Sequence, residues 1–165
     1  MVTSYIFLAG ASRGVGREIA NCLTAQNNQV KALLRTEEKL QELEAMGITV
    51  ALGDALNIDD VEKAILAEEK IDIVISTIGG VPKDSERADY LGNKNLIDAA
   101  VKAGVKKFIL ISSIGSGNSA NAIPPQALET LKPVLIEKEK AEKHLIESGL
   151  TYTVIRPGGL KSEPA

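Results

Sequence analysis

Tryptophan is absent and aromatic residues make up only 3% of the chain. That excludes a nucleic-acid platform built on base stacking. An excess of positive charge is missing as well: 19 Lys and Arg stand against 22 Asp and Glu, for a net charge of −3. No basic run forms a polybasic patch, so neither nucleic acid nor an anionic membrane surface is an expected partner. One cysteine, Cys22, excludes an intrachain disulfide and a Cys-rich metal site. Lying in an apolar helical segment, it is expected to be a small core residue. One histidine, His144, cannot build a zinc centre alone, and next to Lys143 it is expected at the surface. No metal site is therefore expected. No apolar run reaches the roughly 18 residues a membrane span needs. The opening MVTSYIFLAG has no basic n-region and no cleavage site. These absences together describe a soluble, cytoplasmic protein without a membrane span or targeting peptide.

What is present is alternation. At 165 residues the chain is expected to be a single domain, long enough for a real core. Short apolar runs at 4–9, 29–34, 48–53, 71–77, 107–113 and 152–155 read as strands. Between them, 15–26, 37–47, 59–69, 89–104 and 134–150 have helical spacing. Gly47 and Gly104 mark helix ends, and Asp59 is the expected N-cap of the third helix. Strands alternating with amphipathic helices imply right-handed βαβ units and a parallel sheet, covered on both faces. The expected fold is an α/β, doubly wound, six-stranded Rossmann sheet in the order 3-2-1-4-5-6, with a ligand crevice at the carboxyl ends of its strands. Segment 112–126, rich in Gly, Ser, Asn and Pro, leaves the fifth strand as either a mobile lid over that crevice or a passive surface excursion.

The strand ends carry the candidate site. GASRGVGRE, with Gly10, Gly14 and Gly16, follows the first strand and opens a helix. Such a turn lets backbone N–H groups reach a pyrophosphate at the helix N-terminus. At the end of the second strand, NAD sites usually carry an acid for the ribose hydroxyls. Here Leu34 and Arg35 occupy that region, and Arg13 lies in the glycine turn. Two guanidiniums suit a 2′-phosphate, so NADP(H) is preferred over NAD(H); the other reading is that Arg35 pairs with Glu37 or Glu38. Asp54 either accepts from the adenine amino group or caps the next helix. The small residues Thr77 to Gly80 let the fourth strand end close to the middle of a cofactor. Ser112 and Ser113 end the fifth strand, where a hydroxyl could meet a substrate carbonyl or only cap the loop. One residue stands out on the last helix. At about 100° per residue, Val134, Lys138, Ala141 and Leu145 share one stripe, while Glu139, Lys140, Glu142 and Lys143 fall on other faces. An ammonium on the buried stripe needs a partner, or must snorkel to water.

GASRGVG, LLRTEEK, GDALNIDD, IDAAVKAGVKKFILISSIG and SGLTYTVIRPGGL together resemble the atypical short-chain dehydrogenase/reductases, the NmrA-like, flavin and biliverdin reductase-like group. The resemblance covers essentially the whole chain. It implies that Gly10, Ser12, Arg13, Gly14, Val15 and Gly16 form the pyrophosphate turn and that Arg35 meets the 2′-phosphate. It implies adenine contacts from Asp54 and Ala55, and places Gly79 beside the adenosine ribose, with Thr77, two residues before it, also on the cofactor. Ser112 and Ser113 match the strand end that holds the superfamily's active-site serine, Ser113 more closely. Lys138 matches the lysine that grips the nicotinamide ribose, and Arg156, Pro157 and Gly158 match the loop that holds the carboxamide. Ser113 and Lys138 are thus the catalytic candidates.

Two departures matter. The main superfamily pattern is Tyr-x-x-x-Lys, and four residues before Lys138 stands Val134. Neither Tyr90 nor Tyr152 has the required spacing, so the usual proton donor is missing. Related chains also continue beyond the PGGL loop, so a C-terminal substrate-side segment is expected to be lacking. The resemblance implies an NADPH-dependent reductase that passes hydride to a small planar acceptor such as a flavin, quinone or tetrapyrrole. Its alternative is a non-catalytic NADP(H) binder that senses redox state or scaffolds a protein partner. A plant-type homologue would place it in the plastid stroma instead of the cytoplasm.

Overall fold

The computed structural model describes residues 4–80 and 87–164. Six parallel strands form one sheet: β1 (Tyr5–Ala9), β2 (Gln29–Leu34), β3 (Thr49–Leu52), β4 (Ile73–Ser76), β5 (Lys107–Ile111) and β6 (Tyr152–Ile155). Their order is β3-β2-β1-β4-β5-β6, the doubly wound arrangement expected. The helices are α1 (Gly14–Ala25), α2 (Leu40–Ala45), α3 (Ile58–Ile65), α4 (Ala88–Ala103) and α5 (Pro125–Glu147).

Side chains alternate across each strand, and this splits the core in two. Phe7 and Ala9 of β1 join Val74, Phe108 and Leu110 on one face, under α3 (Val61, Ile65), α4 (Leu96, Ile97) and α5 (Ala141, Leu145). Ile6 and Leu8 join Val30, Ala32 and Leu34 on the other face, under α1 (Ala20) and α2 (Leu43). Coverage of that second face thins toward the β6 edge, where Ile155 is 44% exposed. Among the described residues no helix is long and apolar enough to cross a membrane, and no group of three His, Cys, Asp or Glu could hold a metal ion.

Several local expectations are corrected. Cys22 is exposed, not in the core; α1 packs through Gly16 and Ala20 instead, because its first turn lies too close to the sheet for larger side chains. The helix expected at 37–47 begins as a 3₁₀ turn, Glu37–Lys39, before α2. Asn57, not Asp59, caps α3: its side-chain oxygen accepts from Asp59 N at 3.0 Å and Asp60 N at 3.5 Å. Gly104 does end α4 in the left-handed region, at φ +67°. α5 starts nine residues earlier than the apolar stripe suggested, with Pro125 in its first turn, where a missing N–H is harmless. Its buried side chains are Leu135, Ala141, Glu142 and Leu145, so Glu142, assigned above to a solvent face, belongs to the interior. His144 is half-buried, with Nε2 2.6 Å from Asp98 Oδ1 of α4.

The corrected cap is testable. Asn57→Ala is expected to lower stability by about 1 kcal/mol, whereas Asp59→Ala should lose only a few tenths from the helix dipole, about 0.3 kcal/mol. Urea denaturation of the two variants measures the difference, and equal losses would reassign the cap.

Candidate functional site

A cleft of about 790 Å³ opens at the carboxyl ends of β1 to β4. That volume lies within the range of small-molecule and cofactor pockets. Its floor is the turn from β1 into α1. Gly10 has φ +98° and Gly14 φ +56°, conformations that favour glycine. A Cβ on Gly16 would overlap the Gly10 carbonyl oxygen, and one on Gly10 would overlap Thr77 Oγ1. Thr77 Oγ1 donates to Ala9 O at 3.1 Å and so ties the ends of β1 and β4 together. Arg13, at the N-cap of α1, makes no side-chain capping bond. The first-turn N–H groups therefore face the cleft without a side-chain acceptor, which is how a helix receives an anion.

Ser12, Arg13, Gly14, Val15, Gly16, Arg35, Asp54, Ala55, Thr77 and Gly79 all line this cleft together with Gly10. Arg35 and Arg13 are exposed, and the ion pairs among the described residues run between other partners, so the alternative pairing of Arg35 with Glu37 or Glu38 does not form. The Asp54 carboxylate accepts from Leu56 N at 2.9 Å in a local turn; α3 is capped by Asn57, not by Asp54. Lys39 also lines the cleft, a cation the motif reading passed over. The signal was there in LLRTEEK, where the helical turn after Arg35 carries Lys39 back toward the strand end. Lys39 is paired with Glu42 at 3.0 Å, and Glu42 also holds Arg17 at 2.7 Å.

The other expected residues lie beyond this wall. Ser112 is buried, and its hydroxyl donates to Glu142 Oε1 at 2.5 Å. Ser113 is half-buried, and its hydroxyl donates to Ile114 O at 3.0 Å. Arg156 sends Nη2 to Glu142 Oε2 at 2.5 Å, Nε to Oε1 at 3.2 Å and Nη1 to Asn118 Oδ1 at 2.6 Å. The guanidinium expected beside a carboxamide is thus held in a two-pronged pair with α5. Ile114 N donates to Pro157 O at 3.0 Å, so the loops after β5 and β6 run together there; Gly158, next to Pro157, is exposed. Segment 112–126 contains a 3₁₀ turn, Gly117–Ala122; it is bound to the β6 loop and contributes no residue to the cleft wall. Lys138 is not snorkelling: its Nζ lies 3.1 Å from Asp89 Oδ1, with the lysine side chain 19% exposed. The two missed residues, Asp89 and Glu142, are acids on helices that sequence periodicity alone leaves facing water.

Burial pushes the Glu142 carboxyl up, but hydrogen bonds from Arg156 and Ser112 and the Arg156 charge outweigh it and hold it below its ordinary value. Arg156 is correspondingly held above its own, chiefly by the hydrogen bond to Glu142.

The NAD(P)H-binding family matches residues 10–165, and the chain belongs to it, within the atypical short-chain dehydrogenase/reductase, NmrA-like group. It is 36% identical over 166 residues to the uncharacterized sugar epimerase YhfK of Bacillus subtilis, covering 96% of this chain and 73% of that one. It is 32% identical over 176 residues to the chloroplastic protein TIC 62 of Pisum sativum, covering 94% of this chain and 33% of that one. In three dimensions it is similar to ChuY, an anaerobillin reductase of Escherichia coli O157:H7, with a TM-score of 0.84 and 33% identity over 95% of this chain and 73% of that one. The chain thus spans only a third of the pea relative's length.

The Glu142–Arg156 pair predicts a pH signature. A carboxylate whose folded value is depressed stabilises the fold above its unfolded value and loses that contribution as pH falls through the folded one. Glu142→Gln is expected to lower unfolding free energy by roughly 3 kcal/mol near neutral pH, because it leaves a cation without its counter-charge. The gap from wild type should narrow below the ordinary glutamate value of 4.5, as read by urea denaturation from neutral pH to below 4. A gap independent of pH would mean that the charge of Glu142 is not what holds the loop.

Proposed function

We propose that the chain binds NADP(H) in preference to NAD(H) and acts as a reductase. The hydride would go to a small planar acceptor of the flavin, quinone or tetrapyrrole kind. The observation that carries the cofactor preference is the cationic end of the cleft. Arg13, Arg35 and Lys39 border it, where an NAD site would present an acid to the ribose. Lys39 is paired with Glu42 and Glu38 also lines the cleft, so the preference rests on the exposed Arg13 and Arg35, guanidiniums that suit a dianionic 2′-phosphate better than a pair of hydroxyls. The glycine turn fits the rest of the nucleotide: a Cβ at Gly10 or Gly16 would fill the space where backbone approaches backbone, and the start of α1 is free to receive the pyrophosphate.

Bound NADPH supplies the hydride; the protein supplies position and charge. In this reading Lys138 donates hydrogen bonds to the nicotinamide ribose, and Pro157 and Gly158 form the wall behind the ring. Ser113 polarises the acceptor, since its hydroxyl is engaged only by a neighbouring carbonyl, whereas Ser112 is committed to the buried Glu142. The proton that completes reduction comes from solvent, because Val134 stands where the superfamily's tyrosine would be. Similarity to a reductase of a bilin-type compound supports the acceptor class. The missing tyrosine also favours a second reading, a nucleotide-binding sensor or scaffold that leaves NADPH unchanged.

Titration with NADPH and NADH, followed by addition of flavin, quinone or a linear tetrapyrrole, separates these readings. Arg35→Ala is expected to weaken NADPH binding by about 10- to 100-fold and to leave NADH nearly unchanged. Ser113→Ala should slow NADPH oxidation by roughly 100-fold with unchanged nucleotide affinity. Tight binding with no oxidation by any acceptor would favour the sensor, and equal weakening of both nucleotides by Arg35→Ala would end the case for NADP.

A further inference from the structure

The Lys138 ammonium, behind the cleft wall, does not stand alone. Asp89, in the first turn of α4, is 1% exposed. Its Oδ2 accepts from Gly80 N at 2.9 Å and from Arg87 Nη1 at 3.0 Å. Among the described residues its Oδ1 accepts no hydrogen bond and faces Lys138 Nζ as an ion pair at 3.1 Å. One carboxylate therefore joins the end of β4, the start of α4 and the middle of α5. The group stands directly behind the cleft wall: a Cβ added to Gly79 would lie 2.6 Å from Asp89 Oδ1 and 3.3 Å from Lys138 Nζ. Gly79 itself lines the cleft. The start of α4 is fixed in turn by Asn93, 3% exposed, which donates to Asp89 O at 2.8 Å and accepts from Ser76 Oγ at 2.5 Å.

We propose that Asp89 is the positioning residue for Lys138. Its carboxylate holds the ammonium against Gly79 so that the lysine meets the nicotinamide-side ribose already in place. This deepens the NADP(H) reading above and rests on it. A lysine on a four-carbon stem has many rotamers to lose, and ordering it on binding would weaken the nucleotide. Asp89 bears that ordering in the folded protein before any nucleotide arrives. The contact to Asp89 is an ion pair, with no hydrogen bond to Oδ1, so the three N–H donors of the ammonium remain for the ribose hydroxyls. A buried acid on the neighbouring helix thus fixes the ammonium.

The test is a double-mutant cycle on the full chain, using Asp89→Asn, Lys138→Met and the double variant. Each is titrated with NADPH and with 2′,5′-ADP, which lacks the second ribose. Asp89→Asn and Lys138→Met are each expected to weaken NADPH by about tenfold, with 2′,5′-ADP unchanged. The double variant should bind NADPH no more weakly than Lys138→Met alone, because Asp89 acts only through the lysine. Losses that add in the double variant, or equal weakening of 2′,5′-ADP, would overturn the proposal and leave Asp89 a purely structural acid. Should Asp89→Asn fail to fold, Asp89→Glu keeps the charge but displaces the ammonium by a methylene. It is expected to weaken NADPH and spare 2′,5′-ADP, and wild-type NADPH affinity in that variant would overturn the idea. A wild-type chain that binds no NADPH would remove the functional reading and this proposal together. Wild-type binding that is lost additively would remove the proposal alone.

Discussion

The structure depends on one close approach, the crossing of α1 over the ends of β1 and β4. Gly16 of α1 packs where any Cβ would strike the Gly10 carbonyl, and Gly10 packs where any Cβ would strike Thr77. Thr77 in turn bonds back to Ala9. The turn after β1, the start of α1 and the distant end of β4 thus meet closely, and the helix is aimed so that its unbonded N–H groups open onto the strand ends. A helix set off from the sheet by ordinary side chains would leave a shallower floor and a less concentrated field. The sheet order follows from the same place, since β1 and β4 are the neighbours at which the winding reverses direction.

The second organising element is α5, which carries polar groups inward where a helix of this kind usually carries leucine. Leu135 and Leu145 bury apolar surface at either end of its inner stripe. Between them, Lys138 reaches Asp89 on α4, and Glu142 reaches Arg156 after β6 and Ser112 after β5. Buried charges are tolerable only when paired; Glu142 is paired and hydrogen-bonded, and Lys138 faces Asp89 as an ion pair. They contribute definition more than net stability: the stripe has one register in which both pairs form, and a slide of α5 would strand two charges. The arrangement brings the ends of β4, β5 and β6 into a fixed relation with the cleft on the other side of the sheet centre.

Much of this was legible from residue order. The alternation of apolar runs and amphipathic segments predicts the layers, and every strand lies within a residue or two of its expected span. GASRGVG, Arg35 and GDALN mark three strand ends that do meet around one cleft. Lys138 was conspicuous because an ammonium interrupts an apolar stripe. The misreadings have a common cause. Hydropathy puts Cys22 in the core and Glu142 at the surface because it assigns a residue type to a side, whereas burial is set by what packs opposite. α1 turns its small residues inward because the turn beneath leaves no room, and Cys22 is left outside. Glu142 turns inward because Arg156, fourteen residues on, needs a partner there.

The sequence by itself determined the order of the elements, the parallel winding and the family to which the chain belongs. These follow from periodicity and from glycines that only a tight turn requires, both local properties of the chain. Only the tertiary structure decided which charge meets which: Lys138 with Asp89, Glu142 with Arg156, Lys39 at the mouth of the cleft. A period of 3.6 residues says which face of a helix a side chain occupies. It does not say what stands across from that face, and the partner of a buried charge is a property of the neighbouring element.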